Sequence, residues 1–321
     1  MDLINYQPQQ AFLQKHLLTL SPYTKDEILQ ILSLALKLKA ETKSGLEHHL
    51  LKGKSLAMIF AKSSTRTRVS FETGMVQLGG YPLNLSTADI QLGRGETISD
   101  TAKVLSRMVD CIMIRTFAQA DVEGLAEFGS IPVINGLTDD FHPCQALADV
   151  MTIYEHKGAI DGLKMAFIGD GNNVAHSLML ICAKLGIDFS IGCPPGFEPS
   201  PSVVSDAVAF AKESGAVITV TNDAKQAIRD ADAVYTDVWA SMGQESEFEE
   251  KSKHFIPYQV NTALTSYAKD DFIFLHCLPA HRGEEVSAEI IDGPHSVVFD
   301  EAENRLHAQK AVLVKLMNGG N

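Results

Sequence analysis

Short apolar runs recur along this chain, and segments with helical apolar spacing lie between them. Leu56-Ala57-Met58-Ile59-Phe60 leads through a polar turn into Val69, Phe71, Met75, Val76 and Leu78. Before it, the capping box Thr24-Lys25-Asp26-Glu27 and the apolar positions Ile28, Ile31, Leu32, Leu34 and Leu36 predict a helix from about Thr24 to Thr42. After it, predicted strands near Pro82–Leu85, Cys111–Ile114 and Pro132–Ile134 alternate with helices near Thr97–Met108 and Val122–Phe128. Such alternation requires a parallel sheet covered on both faces, because each crossover helix buries its apolar stripe against the sheet. A second series has strands near Met165–Ile168, Phe189–Ile191, Val217–Val220, Ala233–Tyr235 and Phe272–Leu275, with Val297–Phe299 predicted as another. A last helix is predicted over Asn304–Met317. Helical spacing through Ala146, Leu147, Val150, Met151 and Tyr154 links the two series, and Gly158 and Gly162 then break the chain. The expected fold is α/β: two doubly wound parallel-sheet domains joined by interdomain helices. The domains are residues 1–149, with the C-terminal helix 304–321 packing back on them, and residues 150–303. At 321 residues the chain can fill two such cores.

The stretch Ser63-Ser64-Thr65-Arg66-Thr67-Arg68 occupies the first strand–helix turn. Ser63 or Ser64 caps the helix, so free N–H groups and the positive end of its dipole face the loop. With the hydroxyls of Ser64, Thr65 and Thr67 and the guanidinium of Arg66, the stretch describes an anion site, phosphate above all. The plainer reading is a capped surface helix with two solvated arginines. A net charge of -13 argues against nucleic acid and anionic membranes as partners. A small anion is not excluded, since screening at physiological salt acts over about 8 Å.

In open α/β sheets ligands bind beyond the carboxyl ends of the strands. Arg115 ends the apolar run Cys111-Ile112-Met113-Ile114, so it either meets an anion or pairs with a carboxylate. His142, before Pro143, is either structural or catalytic, and Gln145 presents its amide one turn along. Phe167-Ile168-Gly169-Asp170-Gly171-Asn172-Asn173-Val174 only partly matches a dinucleotide fingerprint. The third glycine is Val174, and the next strand ends Ile191-Gly192-Cys193-Pro194 without an acid. Asn173 either binds a small ligand or caps its helix. Asp237 suits a substrate ammonium group or a turn. Cys277 is either a nucleophile or an inert buried thiol. Among the five cysteines no C-x-x-C pair occurs, so neither a zinc site nor a disulfide framework is indicated. The N-terminus lacks signal-peptide features and no apolar run approaches membrane-spanning length, which predicts a reduced, cytoplasmic protein.

Five motifs together resemble the aspartate/ornithine carbamoyltransferase family, on its ornithine branch. They are Ser64-Thr65-Arg66-Thr67-Arg68, His142-Pro143-Cys144-Gln145, Asp237 with Ser241-Met242-Gly243, His276-Cys277-Leu278-Pro279, and Glu303-Asn304-Arg305, in the family's order. The resemblance implies transfer of a carbamoyl group from carbamoyl phosphate to L-ornithine, with no cofactor and no metal. It implies that carbamoyl phosphate is bound by Ser64, Thr65, Arg66, Thr67, Gln91, Arg115, His142, Pro143, Cys144, Gln145, Cys277, Leu278 and Arg305. Residues 1–149 would then be the carbamoyl phosphate-binding domain and 150–303 the ornithine-binding domain. Asn173, Asp237, Ser241 and Met242 would bind ornithine, and Arg115, His142 and Cys277 would be the catalytic set. Gln91 matches a loop that reaches a neighbouring subunit's site, which implies a homotrimer, or a multiple of trimers, with shared active sites. The Leu278-Pro279 bond is expected to be cis. The Ser-Met-Gly loop favours free ornithine over aspartate, putrescine or acetylornithine. A nicotinamide-dependent oxidoreductase is the alternative of a different class.

Overall fold

A computed structural model describes residues 2–87, 90–91, 95–239 and 248–319. The chain forms two compact units, one of residues 2–151 with 303–321 and one of residues 152–302. In chain order the elements leading to the first boundary are α1 (Lys25–Lys43), β1 (Ser55–Phe60), α2 (Thr65–Gln77), β2 (Tyr81–Ser86), α3 (Ile98–Leu105), β3 (Cys111–Arg115), α4 (Gln119–Phe128), β4 (Val133–Leu137) and α5 (Pro143–Lys157). Then follow β5 (Lys164–Ile168), α6 (Asn173–Leu185), β6 (Asp188–Gly192), α7 (Pro201–Ser214), β7 (Ile218–Thr221), α8 (Ala224–Ile228) and β8 (Ala233–Tyr235). The chain closes with α9 (Phe248–Phe255), α10 (Thr262–Thr265), β9 (Ile273–Leu275), α11 (Ala288–Ile291) and α12 (Val298–Met317).

The first sheet has strand order β2-β1-β3-β4 and the second β7-β6-β5-β8-β9, with every neighbouring pair parallel. Flanking helices bury both faces, so strands such as Leu56–Ile59 and Met165–Ile168 are apolar without alternation. Each order contains one reversal, where successive crossovers leave in opposite directions. In the first sheet it lies between β1 and β3; in the second, between β5 and β8. At such a point two strand-end loops diverge and leave a crevice. That places 61–65 beside Arg115 in one unit, and 169–172 beside 236–239 in the other.

Local chemistry explains most element ends. The Thr24 hydroxyl accepts from the Glu27 N–H while Glu27 accepts from the Thr24 N–H, the reciprocal cap expected from the sequence. A Cβ at Gly74 would lie 3.2 Å from Lys310 Cγ and 3.4 Å from Leu306, so a glycine there lets α2 and α12 approach closely. Lys310 donates to Thr42 Oγ1 at 2.8 Å and Gln77 Oε1 at 3.0 Å, and burial lowers its amine to about 8. These bonds tie α12 to the first unit.

One predicted element is wrong. Val297–Phe299 is not a strand: Ser296 makes a single bridge to Phe274, and Val298 already begins α12. Asp300 and Glu301 in the first turn complement the helix dipole, and Phe299 is 75% exposed beside buried Val297 and Val298, so the triplet is not buried on both faces as a central strand would be. The last helix therefore starts at Val298 and not at Asn304, which places Glu301 where the second unit uses it.

Candidate active site

In the first unit, the Ser64 side chain caps α2 by accepting from the Thr67 N–H at 3.2 Å. The first turn of α2 holds no acidic residue, so nothing in the helix itself complements its positive end. Arg115 lies opposite Phe60 in the β1–β3 register, and its carbonyl accepts from the Ala61 N–H at 2.8 Å. The hydroxyl of Thr67, fully buried, accepts from Arg305 Nη2 at 2.7 Å and from Arg115 Nη1 at 3.4 Å. Arg305 comes from α12, so residues 238 apart in sequence share one hydroxyl. Arg68 turns away into an exposed pair with Glu72, the solvated reading offered for it by the sequence.

His142 is buried just before α5, and its carbonyl accepts from the N–H groups of Gln145 and Ala146. Burial first, and then the guanidiniums of Arg305, Arg115 and Arg66, hold its imidazole well below the usual histidine range. It is therefore neutral at pH 7. Three guanidiniums near a neutral imidazole make a strongly positive cluster suited to an anion of more than one charge. Gln145 donates to Asp149 Oδ1 at 2.8 Å. Pro143 sits at the start of α5, and the Cys144 thiol is directed at the Asn135 carbonyl, with burial pushing it up to about 12. Thr65 and Gln91 are exposed.

Because the unfolded chain protonates His142 near the unperturbed value of about 6.5 and the folded chain resists protonation, lowering the pH through that value favours unfolding. His142→Gln is expected to reduce this acid destabilisation, measured as the unfolding midpoint against pH; an unchanged profile would show that His142 does not carry it.

In the second unit, Asp237 follows β8 and Cys277 follows β9, the adjacent strand, so equivalent positions meet. The Cys277 thiol donates to Asp237 Oδ1 at 3.2 Å, and Asn172 Nδ2 donates to Asp237 Oδ2 at 2.8 Å. Asn172, and not Asn173, caps α6: its Oδ1 accepts from the N–H groups of Val174 and Ala175. Asn173 is the first residue of the helix and is buried. A Cβ on Gly171 would lie 2.2 Å from Pro199 N, so this glycine serves a close backbone approach. Lys251 from α9 contacts Asp170, whose carboxyl burial raises against the pull of that lysine. Cys277 is half-buried, which removes the fully buried reading. Ser241 and Met242 lie outside the described residues.

The loop carrying Cys277 is held by residues the sequence reading missed. His276 is fully buried; its N–H donates to Glu301 Oε2 at 2.8 Å, and Glu301 Oε1 accepts from the Tyr235 hydroxyl at 3.1 Å. His276 Nδ1 accepts from the Leu278 N–H at 2.9 Å, which places the ring proton on Nε2, against Glu285 Oε1 at 3.2 Å. The Leu278-Pro279 bond is cis. The only signal for Glu301 was an acidic pair at the start of an apolar helical pattern; nothing near Glu285 announced its partner. Glu301→Ala is expected to cost about 2 to 5 kcal/mol, because it strips a buried acceptor from two donors. The shift in urea midpoint measures this, and an unchanged midpoint would refute it.

Asp237, His276 and Cys277 bring three potential metal ligands within 4.8 Å of one another. Each ligating atom is already engaged: the thiol with Asp237, and the imidazole nitrogens with Leu278 and Glu285.

Two parallel-sheet units, one with guanidiniums gathered at its reversal and the other with a buried carboxylate beside a half-buried thiol, define a two-domain α/β group-transfer enzyme. The family model described as aspartate/ornithine carbamoyltransferase, carbamoyl-P binding domain, matches residues 15–155, and the Asp/Orn binding domain of the same family matches residues 161–316. The chain belongs to the aspartate/ornithine carbamoyltransferase family. It is 62% identical to an ornithine carbamoyltransferase of Anoxybacillus flavithermus over 94% of this chain and 96% of that one. It is 58% identical to one of Thermococcus kodakarensis over 95% of this chain and 97% of that one. The solved ornithine carbamoyltransferase of Pyrococcus furiosus superposes with a TM-score of 0.94 at 56% identity, covering 97% of this chain and 99% of that one.

Proposed function

We propose that the chain is an ornithine carbamoyltransferase, which transfers the carbamoyl group of carbamoyl phosphate to the δ-amine of L-ornithine and yields L-citrulline and phosphate, a step of arginine metabolism. The observation that carries the donor assignment is the convergence of Arg66, Arg115 and Arg305 on neutral His142 beside the α2 N-terminus. Identity of 58–62% over 94–95% of the chain to relatives named for ornithine supports the acceptor. Those relatives give no support to an oxidoreductase.

In this reading the phosphoryl group rests on Ser64, Thr65, Arg66, Thr67 and Arg305, with Gln145 on the carbamoyl group. Arg115 and His142 polarise the carbonyl oxygen, on which negative charge grows as the amine attacks. The carbon–nitrogen bond forms, the carbon–oxygen bond to phosphate breaks, and the nitrogen sheds a proton that the departing phosphate can accept. An alkyl ammonium with a pKa of about 10.4 must be held neutral, which costs about 4 to 5 kcal/mol at pH 7. Desolvation and positioning offset it. Asp237 receives the α-ammonium group, with Asn173, Ser241 and Met242 as further contacts. Cys277, hydrogen-bonded to Asp237, directs the amine; direct attack on the carbamoyl carbon needs no covalent step, so no carbamoyl-cysteine forms. The unit of residues 2–151 and 303–321 is the donor domain, and residues 152–302 are the acceptor domain. A homotrimer in which Gln91 completes a neighbour's site, in the cytoplasm, belongs to the same proposal. Among the described residues no helix is long and apolar enough to cross a membrane.

Colorimetric citrulline formation from carbamoyl phosphate and ornithine, run beside putrescine, acetylornithine and aspartate, tests this. Ornithine should be the preferred acceptor by kcat/KM. Preference for another amine would reassign the activity within the family.

A further inference from the structure

We infer that His281, Glu284 and Glu285 form a binding site for a divalent transition-metal cation of the zinc class. The three residues lie on the tight turn after Pro279. The Glu284 N–H donates to the His281 carbonyl at 3.0 Å and the Gly283 N–H to the Val286 carbonyl at 2.8 Å. Gly283, at φ +91°, takes the left-handed turn that a side chain would strain. The turn sets His281 Nδ1 3.6 Å from Glu284 Oε2 and 3.8 Å from Glu285 Oε2, and all three ligating atoms lie within 4.8 Å of one another.

These separations exceed hydrogen-bonding distance. They are close to the edges of a coordination tetrahedron, roughly 3.4 Å for metal–ligand bonds of about 2.1 Å. Glu285 is fully buried, and its two oxygens differ. Oε1 accepts from the His281 N–H at 2.6 Å and lies 3.2 Å from His276 Nε2. Oε2 has no hydrogen-bond partner among the described residues and faces the imidazole and the second carboxylate. A buried carboxylate oxygen is ordinarily satisfied, so one left aimed into a cluster of ligands points to a cation. The His281 and Glu284 side chains are 52% and 38% exposed, which provides an entry path.

One imidazole and two carboxylates without a thiolate suit zinc, manganese or cobalt, and three protein ligands leave a position for water. The cluster differs from Asp237, His276 and Cys277, whose ligating atoms are occupied within the protein. Glu285 links the two, because its other oxygen holds the ring that orients Leu278. A bound cation would therefore act on the Cys277 loop through an outer-shell carboxylate.

Co2+ titration of the full chain, followed by visible absorption, and calorimetric Zn2+ titration test the site. The expected result is one Co2+ per chain with visible d–d bands stronger than those of aqueous, six-coordinate Co2+, no near-ultraviolet thiolate charge-transfer band, and displacement by Zn2+. His281→Asn and Glu284→Gln, both at exposed side chains and therefore tolerant of substitution, should each weaken affinity by at least about tenfold. Cys277→Ser should leave affinity and spectrum unchanged. The assignment fails if no Co2+ binds, if the spectrum carries a thiolate band that Cys277→Ser abolishes, or if both His281→Asn and Glu284→Gln bind as the parent does.

Discussion

Arg115→Ala is expected to lower kcat on the order of 10²- to 10³-fold while leaving the unfolding midpoint near that of the parent chain. The guanidinium sits at the end of β3, where the strand order reverses, and shares the Thr67 hydroxyl with Arg305. β3 is held by its parallel pairing and by the core packing of Ile112 and Ile114, and alanine at 115 keeps both, with the bond from the Ala61 N–H to its own carbonyl. Removing one of three clustered cations also relieves like-charge repulsion, which limits any loss of stability. The same substitution should raise the His142 pKa, since Arg115 is among the charges that lower it. Histidine NMR titration reads that shift independently of turnover. Arg115→Lys should fall between, because it keeps the charge and loses the forked donor geometry. Near-normal turnover in Arg115→Ala would refute the role given to this residue.

Asp237→Ala should raise the KM for ornithine on the order of 10- to 100-fold, the range for loss of a charge-assisted hydrogen bond, and should change the KM for carbamoyl phosphate little. Asp237 is held from two sides, by the Asn172 amide and the Cys277 thiol, and its carboxylate is buried. An acceptor so fixed contributes to binding without reordering on each turnover. Asp237→Asn separates charge from shape, since it keeps the side chain's size and removes the negative charge that an α-ammonium group requires. Steady-state kinetics with each substrate varied in turn decides the matter. A selective loss of carbamoyl phosphate affinity would overturn the assignment of the two units.

The motif residues were legible in the sequence because they cluster locally. Ser64 to Thr67 lie within one turn and His142 to Gln145 within another, and strand-end placement marked both. What escaped was partnership. Glu301 and Glu285 carry no motif, yet they fix His276 and through it the Cys277 loop. Asn172 took the cap for which Asn173 was a candidate, a difference of one residue that turns on the hydrogen-bond geometry of a single turn.

The sequence by itself determined which stretches are helices and strands, because caps, periodicity and apolar runs act over a few residues. It failed at Val297–Phe299, where burial and not local pattern decides between strand and helix. Only the tertiary structure decided the strand order, and with it the two reversals that set Arg115 beside 61–65 and Asp237 near 169–172. Strand pairing and the delivery of Arg305 from α12 to Thr67 depend on packing between residues far apart in the chain, and no local pattern records such contacts.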